Sequence, residues 1–422
     1  MNRRQFIGAT GSLAAAAQLR SQTNDRIERD RKVALDILKP SERDLDYGLG
    51  LHRESLVFDA YGFSPRAALD ADAVNALMID GASDVELRDQ SEEMGMTRAA
   101  TVDAEREEFI RAWNAAGMTC IFQNCGEESS DPLRLIKRLA RFTYLTDHLR
   151  GVLRRAVTPD DVEQAHSDGT GCLYFTGNGV PLTQQWVSVE DELRYVRIFF
   201  QLGIRMMHIT YNRRNRLGDG CAETANGGLS DFGRAAVAEM NKVGVIVDVA
   251  HSGWRTSLEA AKQSAKPMVA SHTVCGGIYP HIRSKPDEVI RAIVETGGYA
   301  GICCIPRFLR GAGDITALLD HIDYAVKKFG ADHTAIGTDV AYRSQYSEAE
   351  SGKIPARKPQ RTRFAALWPE DDFQTTAAMT QSLAWTNWPL FTVGMVQRGY
   401  SDADIRKILG GNVLRVARAA LV

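Results

Sequence analysis

One rhythm constrains this chain more than any other feature. Eight short apolar runs, rich in β-branched residues, recur along it: "SLVFDA" (55–60), "MTCIFQN" (118–124), "CLYFTG" (172–177), "IRMMHITY" (204–211), "GVIVDVAH" (244–251), "PMVASH" (267–272), "GYAGICCIP" (298–306) and "HTAIGTD" (333–339). Continuous rather than alternating apolar runs mark strands buried on both faces, as parallel strands are. Between them lie segments of helical period, such as "DAEREEFIRAWNAAG", "VEDELRYVRIFFQLG", "SDFGRAAVAEMNKVG" and "KPDEVIRAIVETGG", several opened by Ser or Asp and stopped by Gly. Strand and helix alternating eight times predict an α/β chain. The expected architecture is a (β/α)8 TIM-like barrel with long βα loops and C-terminal helices, with an open doubly wound sheet as the alternative.

Residues 51–422 are read as one barrel domain and 19–50 as a polar lead-in segment. Residues 1–18, "MNRRQFIGATGSLAAAAQ", carry Arg3-Arg4 before a weakly apolar Gly/Ala-rich run, the layout of a twin-arginine export signal. The mature chain is therefore expected to be exported, in the periplasm. No later stretch approaches the ~18 continuous apolar residues of a membrane span. A net charge of −2 offers no basic face for phosphates, so nucleic acid is not an expected partner. Seven cysteines, none in C-x-x-C spacing, cannot all pair within one chain and are expected to be mostly buried thiols.

In a barrel of this kind chemistry gathers where strands end. Asp248 sits inside an apolar run that stops on His251, a second run stops on His272, and the eighth ends on Asp339. A histidine closing a single strand is ordinarily a hydrogen-bonded structural residue. Two on successive runs, with an acid on the last, point to a catalytic or metal site suited to zinc or a similar divalent ion. His52, His148, His166, His321 and His333 lie in helical, linker or strand-start context and are expected to be surface or structural. Residues 62–100 and 340–373 read as long irregular loops over the mouth, the basic stretch 356–363 as solvated, and Trp385 and Trp388 as anchors of the C-terminal helices.

With these residues in hand, the chain resembles the membrane (renal) dipeptidase family of zinc-dependent amidohydrolase-type barrels. The likeness is most specific over 203–310, through "LGIRMMHITYNRRN", "GGLSDFGRAAVAEMNKVGVIVDVAHSG", "KPMVASHT", "HIRS" and "EVIRAIVETGGYAGI", and again in "ILGGNVLRV". The resemblance implies two metal-ligating histidines, His251 and His272, a proton-handling Asp339, and Arg283 receiving the free carboxylate of a small dipeptide-like substrate. It also implies a possible homodimer. The chain departs from the pattern where the family carries a His-x-Asp pair and a bridging Glu: Tyr61, Phe63 and Thr176 stand there, and Tyr211 stands where many members have another histidine. The resemblance therefore implies one zinc ion at most, with Cys172, Asp59 or His208 as residues able to complete its shell.

Three readings follow from this departure: a one-metal hydrolase of dipeptides or small amides; altered, metal-free chemistry using Asp339, His251 and His272 with Tyr61 or Tyr211 as donors; and a non-catalytic barrel that binds small carboxylate or peptide ligands through Arg283.

Overall fold

The computed structural model describes residues 23–126, 130–356 and 366–421. The expected export signal and all but Ala356 of the basic stretch lie outside the described residues. The eight runs form the eight strands of one parallel sheet: β1 (Phe58–Gly62), β2 (Cys120–Asn124), β4 (Gly171–Gly177), β5 (Ile204–His208), β6 (Ile246–Asp248), β7 (Val269–Cys275), β9 (Tyr299–Ile302) and β10 (Thr334–Ile336), paired in that order. Two short extra strands add to it, β3 (Leu153–Arg155) beside β4 and β8 (Ser284–Lys285) beside β7. The barrel strands are buried along their whole length. That burial is why they read as unbroken apolar runs.

The quoted helical segments are the helices Asp103–Ala116, Val189–Gln201, Asp231–Val243 and Asp287–Glu295. Ser188 and Ser230 cap two of them through their side chains, and Gly117 (φ 60) and Gly244 (φ 93) end two in the left-handed conformation that glycine adopts without strain. Residues 62–100 are not the irregular loop expected. They hold the helices Ala71–Ile79 and Asp84–Thr101, capped by Asp70 and by a Ser83/Glu86 capping box. Their weak periodicity hid them: Ala71–Ile79 is largely apolar without a clear one-sided face, and the polar Asp84–Thr101 buries few of its residues. Within 340–373, the short helix Ser347–Gly352 is described.

The inside of the barrel is filled in layers. Phe58, Phe122 and Tyr174 stack with ring centroids 5.1–5.9 Å apart, and the C-terminal helix Asn412–Ala420 sets Val413, Val416 and Ala420 against this cluster. Trp388 opens the buried helix Trp388–Gln397, and Trp385 is buried in the turn just before it. The lead-in segment forms helices Asp25–Leu38 and Glu42–Glu54, and Asn24 ties the first to the domain through Glu108 and Tyr342.

β1 and β10 close the ring without a ladder of their own. Asp339 N–H donates to Tyr61 C=O (3.0 Å), and the buried Asp59 carboxylate spans the rest of the seam. It accepts from Thr338 N (2.9 Å), Thr338 Oγ1 (2.6 Å), Tyr61 N (3.2 Å) and Trp385 Nε1 (3.3 Å). Removing it strands several buried donors at once, each costing about 1–3 kcal/mol. Asp59→Ala is therefore expected to lower the unfolding free energy by about 3 kcal/mol or more, read from urea denaturation.

A pH signature should accompany it. Burial pushes Asp59 up from 3.8 to about 7 against the pull of those hydrogen bonds. The folded chain then holds this proton more tightly than the unfolded chain, so the contribution is full below about pH 4 and lost as pH rises through about 7. The stability advantage of the wild type over Asp59→Asn is expected to shrink between pH 5 and pH 8 in paired urea titrations.

Candidate functional site

Counting along the strands shows which residues look inward. On β5, Met206 faces the barrel interior, and period-two alternation brings His208 to the same side one layer higher. On β6 the same count runs from Ile246 to Asp248. The register pairs His208 directly with Asp248. On β7 the pairing to β9 shifts between Ala270 and Thr273, which breaks the alternation beside His272. His208, Asp248 and His272 thereby meet with ligand atoms within 4.8 Å of one another, all buried.

Asp248 Oδ1 accepts from Ala250 N (2.9 Å) and Ser271 N (3.1 Å), which holds the carboxylate in one orientation. Its Oδ2 lies 2.8 Å from His208 Nε2 but out of line for a hydrogen bond, so Oδ2 and both ring nitrogens of His208 have no hydrogen-bond partner. Burial would raise the Asp248 carboxyl; His208 and the donors from Ser271 and Ala250 outweigh it and hold the group below the usual range.

The two predicted histidines lie side by side. His251 Nδ1 is 2.8 Å from Asn212 Oδ1, so Nδ1 carries the proton and Nε2 is an acceptor. His272 Nε2 is 2.9 Å from it and Arg283 Nη2 3.3 Å. His272 Nδ1 then accepts from Ser271 Oγ (2.8 Å). Both imidazoles are held neutral: burial and the Arg283 charge press each well below the ordinary histidine range. Tyr61 stacks on His272 (centroids 3.9 Å) and donates to Asn178 Oδ1 (2.5 Å), while Tyr211 stacks on His251 (4.1 Å).

Arg283 is buried behind the histidines. It donates to the carbonyls of Ala250 and His272, and its Nε is without a hydrogen-bond partner. Asp339 stands at the rim in the left-handed conformation (φ 57), a costly choice for a non-glycine residue. Burial pushes its carboxyl up to about 6 against the opposing charges of Arg283, His208 and Arg307. Trp368 lies edge-on to both Tyr211 and His251, at 6.3 Å, with Arg307 over its indole face. Two clefts flank this aromatic pair: one of about 480 Å³ bordered by Asn178, Tyr211 and Arg213, the other of about 520 Å³ bordered by His281, Arg307 and Trp368.

Thus His251, His272, Arg283, Tyr61 and Tyr211 converge, with Asp339 tied to Tyr61 through the backbone. Phe63 packs edge-on to Tyr61, and Thr176 is buried on β4 with its hydroxyl unpartnered. Of the three residues offered to complete a metal shell, only His208 is placed to do so. Asp59 is engaged at the seam, and Cys172 pairs with Cys120 at the opposite end of the strands. Sequence reasoning missed Asp248, Asn212 and Trp368 as site residues. An acid inside an otherwise apolar strand was the available signal for Asp248; nothing local marks the other two. His52 and His321 are structural, each hydrogen-bonded through both ring nitrogens.

Comparison with known proteins gives a consistent picture. The solved amidohydrolase from Pseudomonas aeruginosa superposes with a TM-score of 0.65 at 24% identity, over 89% of this chain and 99% of that one. A metallo peptidase from Rhodobacter sphaeroides, liganded with a phosphinate mimic of the dipeptide L-Ala-D-Ala, superposes at 0.61 with 18% identity, over 87% and 99%. Among curated sequences, dipeptidase tcpJ of Claviceps purpurea is 27% identical over 229 residues, 53% of this chain and 46% of that protein. The match thus spans about half the length of that relative. The sequence pattern of membrane dipeptidase, peptidase family M19, matches residues 70–348, and with it the chain belongs to the membrane dipeptidase family.

Proposed function

We propose that this chain is a dipeptidase-like hydrolase of dipeptides or related small amides, working with one divalent ion at most. The observation that carries the reading is the convergence of neutral imidazoles, an ionised buried carboxylate and a rim carboxyl at the C-terminal mouth of the barrel. A two-ion arrangement does not fit, because Tyr61, Phe63 and the Thr176 hydroxyl offer no carboxylate or imidazole where the family's other ligands would stand. A single ion fits: three buried donors meet, and His208 and Asp248 have unpartnered atoms there. Such an ion would polarise the scissile carbonyl and acidify water.

The chain's own residues supply the rest. Asp339, poised near neutrality, accepts a proton when ionised and returns it to the leaving amine. The unpartnered Nε of Arg283, with Arg307 at the rim, offers donors to a substrate carboxylate. Tyr61 and Tyr211 fix the planes of His272 and His251 by stacking. Export through the twin-arginine signal completes the proposal and places the activity in the periplasm.

Purified protein reconstituted with zinc is expected to cleave members of a dipeptide panel, and the metal-stripped protein is not. Asp339→Asn should lower kcat by about 10²–10⁴-fold, the usual contribution of a positioned acid–base group. In the wild type, kcat/KM should rise as pH passes upward through about 6, where Asp339 ionises, and this limb should vanish in the variant. Protein that binds the metal and remains folded yet cleaves nothing would move the reading to a non-catalytic carboxylate- or peptide-binding barrel.

A further inference from the structure

We propose that the ion of this site is seated on His208, Asp248 and His272, with His251 outside its shell. The inference rests on the single-ion reading above and names the seat. The argument is one of lone pairs. His251 Nε2 has one acceptor lone pair, and two donors already approach it: His272 Nε2 at 2.9 Å and Arg283 Nη2 at 3.3 Å. The second belongs to a guanidinium, which is not deprotonated in proteins. A cation bound to that nitrogen would displace both donors and lie against a permanent positive charge in a buried, weakly screened setting.

At His208 and Asp248 the situation is reversed. His208 is 1% exposed with neither ring nitrogen in an aligned hydrogen bond, and Asp248 is fully buried with Oδ2 facing only the His208 ring at 2.8 Å. Leaving such atoms unmade costs about 1–3 kcal/mol each. Their approach to 2.8 Å without hydrogen-bond alignment leaves lone pairs on both groups that a third body could take. The other carboxylate oxygen of Asp248 is pinned by Ala250 N and Ser271 N, the kind of outer hydrogen bonding that orients a ligand. His272 joins from β7 by giving up its bond to His251, whose Nδ1 stays fixed on Asn212. Two imidazoles and a carboxylate with an open position are a donor set for zinc or a neighbouring first-row ion.

In this arrangement His251 is a positioning residue. It receives Arg283 and carries Tyr211, Asn212 and Trp368 into the wall of the mouth.

Cobalt(II) titration of the full chain, followed by visible absorption and by metal content after desalting, tests the seat without reference to turnover. The wild type is expected to take up one ion per chain. His208→Gln and Asp248→Asn should bind at least ~100-fold more weakly, at or beyond the 10–100-fold loss that an outer-shell partner costs. His251→Gln should remain within about 10-fold of wild type. Should the first two fail to fold, as judged by circular dichroism of the metal-free proteins, His208→Cys decides: a thiolate-to-cobalt charge-transfer band is expected only if position 208 touches the ion. Loss of binding in His251→Gln with retention in His208→Gln, absence of the band in a folded His208→Cys, or no ion bound by wild type would each overturn the seat. Dipeptide turnover is assayed separately, so an ion held elsewhere in an active hydrolase is distinguished from a protein with no hydrolase activity at all.

Discussion

Everything in this molecule hangs on closing a parallel sheet whose two end strands do not pair along their length. A parallel edge left open inside a protein strands its backbone donors, and here the gap between β1 and β10 is bridged by one backbone hydrogen bond and one buried carboxylate, Asp59. The same carboxylate reaches Trp385, in the turn that leads into the buried helix Trp388–Gln397. One side chain thus couples barrel closure to the packing of the last helices, while the C-terminal helix plugs the opposite end with Val413 and Val416. Because the ring closes next to Asp339, the seam also sets where the rim carboxyl stands.

The mouth concentrates groups that could carry positive charge: His208, His251, His272, Arg283 and Lys285 are all buried there. Burial and neighbouring positive charge press three of them, His251, His272 and Lys285, toward their neutral forms. The His251 and His272 rings are held neutral, and Lys285, hydrogen-bonded to Ser252 O and Ser257 Oγ, is brought down to about 7 by burial. Asp248 is drawn the other way and stays ionised. Neutral imidazoles beside an ionised carboxylate are the protonation states in which those groups bind a metal. The positive charges that press protons off these imidazoles weigh equally against any cation close to Arg283.

The eight strands and the helices between them were legible because burial on both faces and on one face leaves two different periods in the chain. The helices Ala71–Ile79 and Asp84–Thr101 were not, since the first is apolar on more than one side and the second is polar with only scattered buried positions, which leaves little period to read. His251, His272 and Asp339 were legible because each ends a run, and strand ends converge in a barrel. His208 was visible only as one of several residues able to complete a shell. Asp248 looked like a lapse in an apolar strand, and its meaning depends on the register that sets it opposite His208. Trp368, 117 positions beyond His251, touches that ring only through the path of the last long loop.

By itself the sequence determined which segments are strands, that they run parallel, and which residues stand at their ends, because local burial period and chain order carry that information. Only the tertiary structure decided which lone pairs are taken and which are left open. That depends on distances of about 3 Å between side chains from different strands: Arg283 aimed at His251, Asp248 turned toward His208, and a shifted pairing beside His272. A one-residue change of register would reverse each of those directions, and no periodicity in the chain records them.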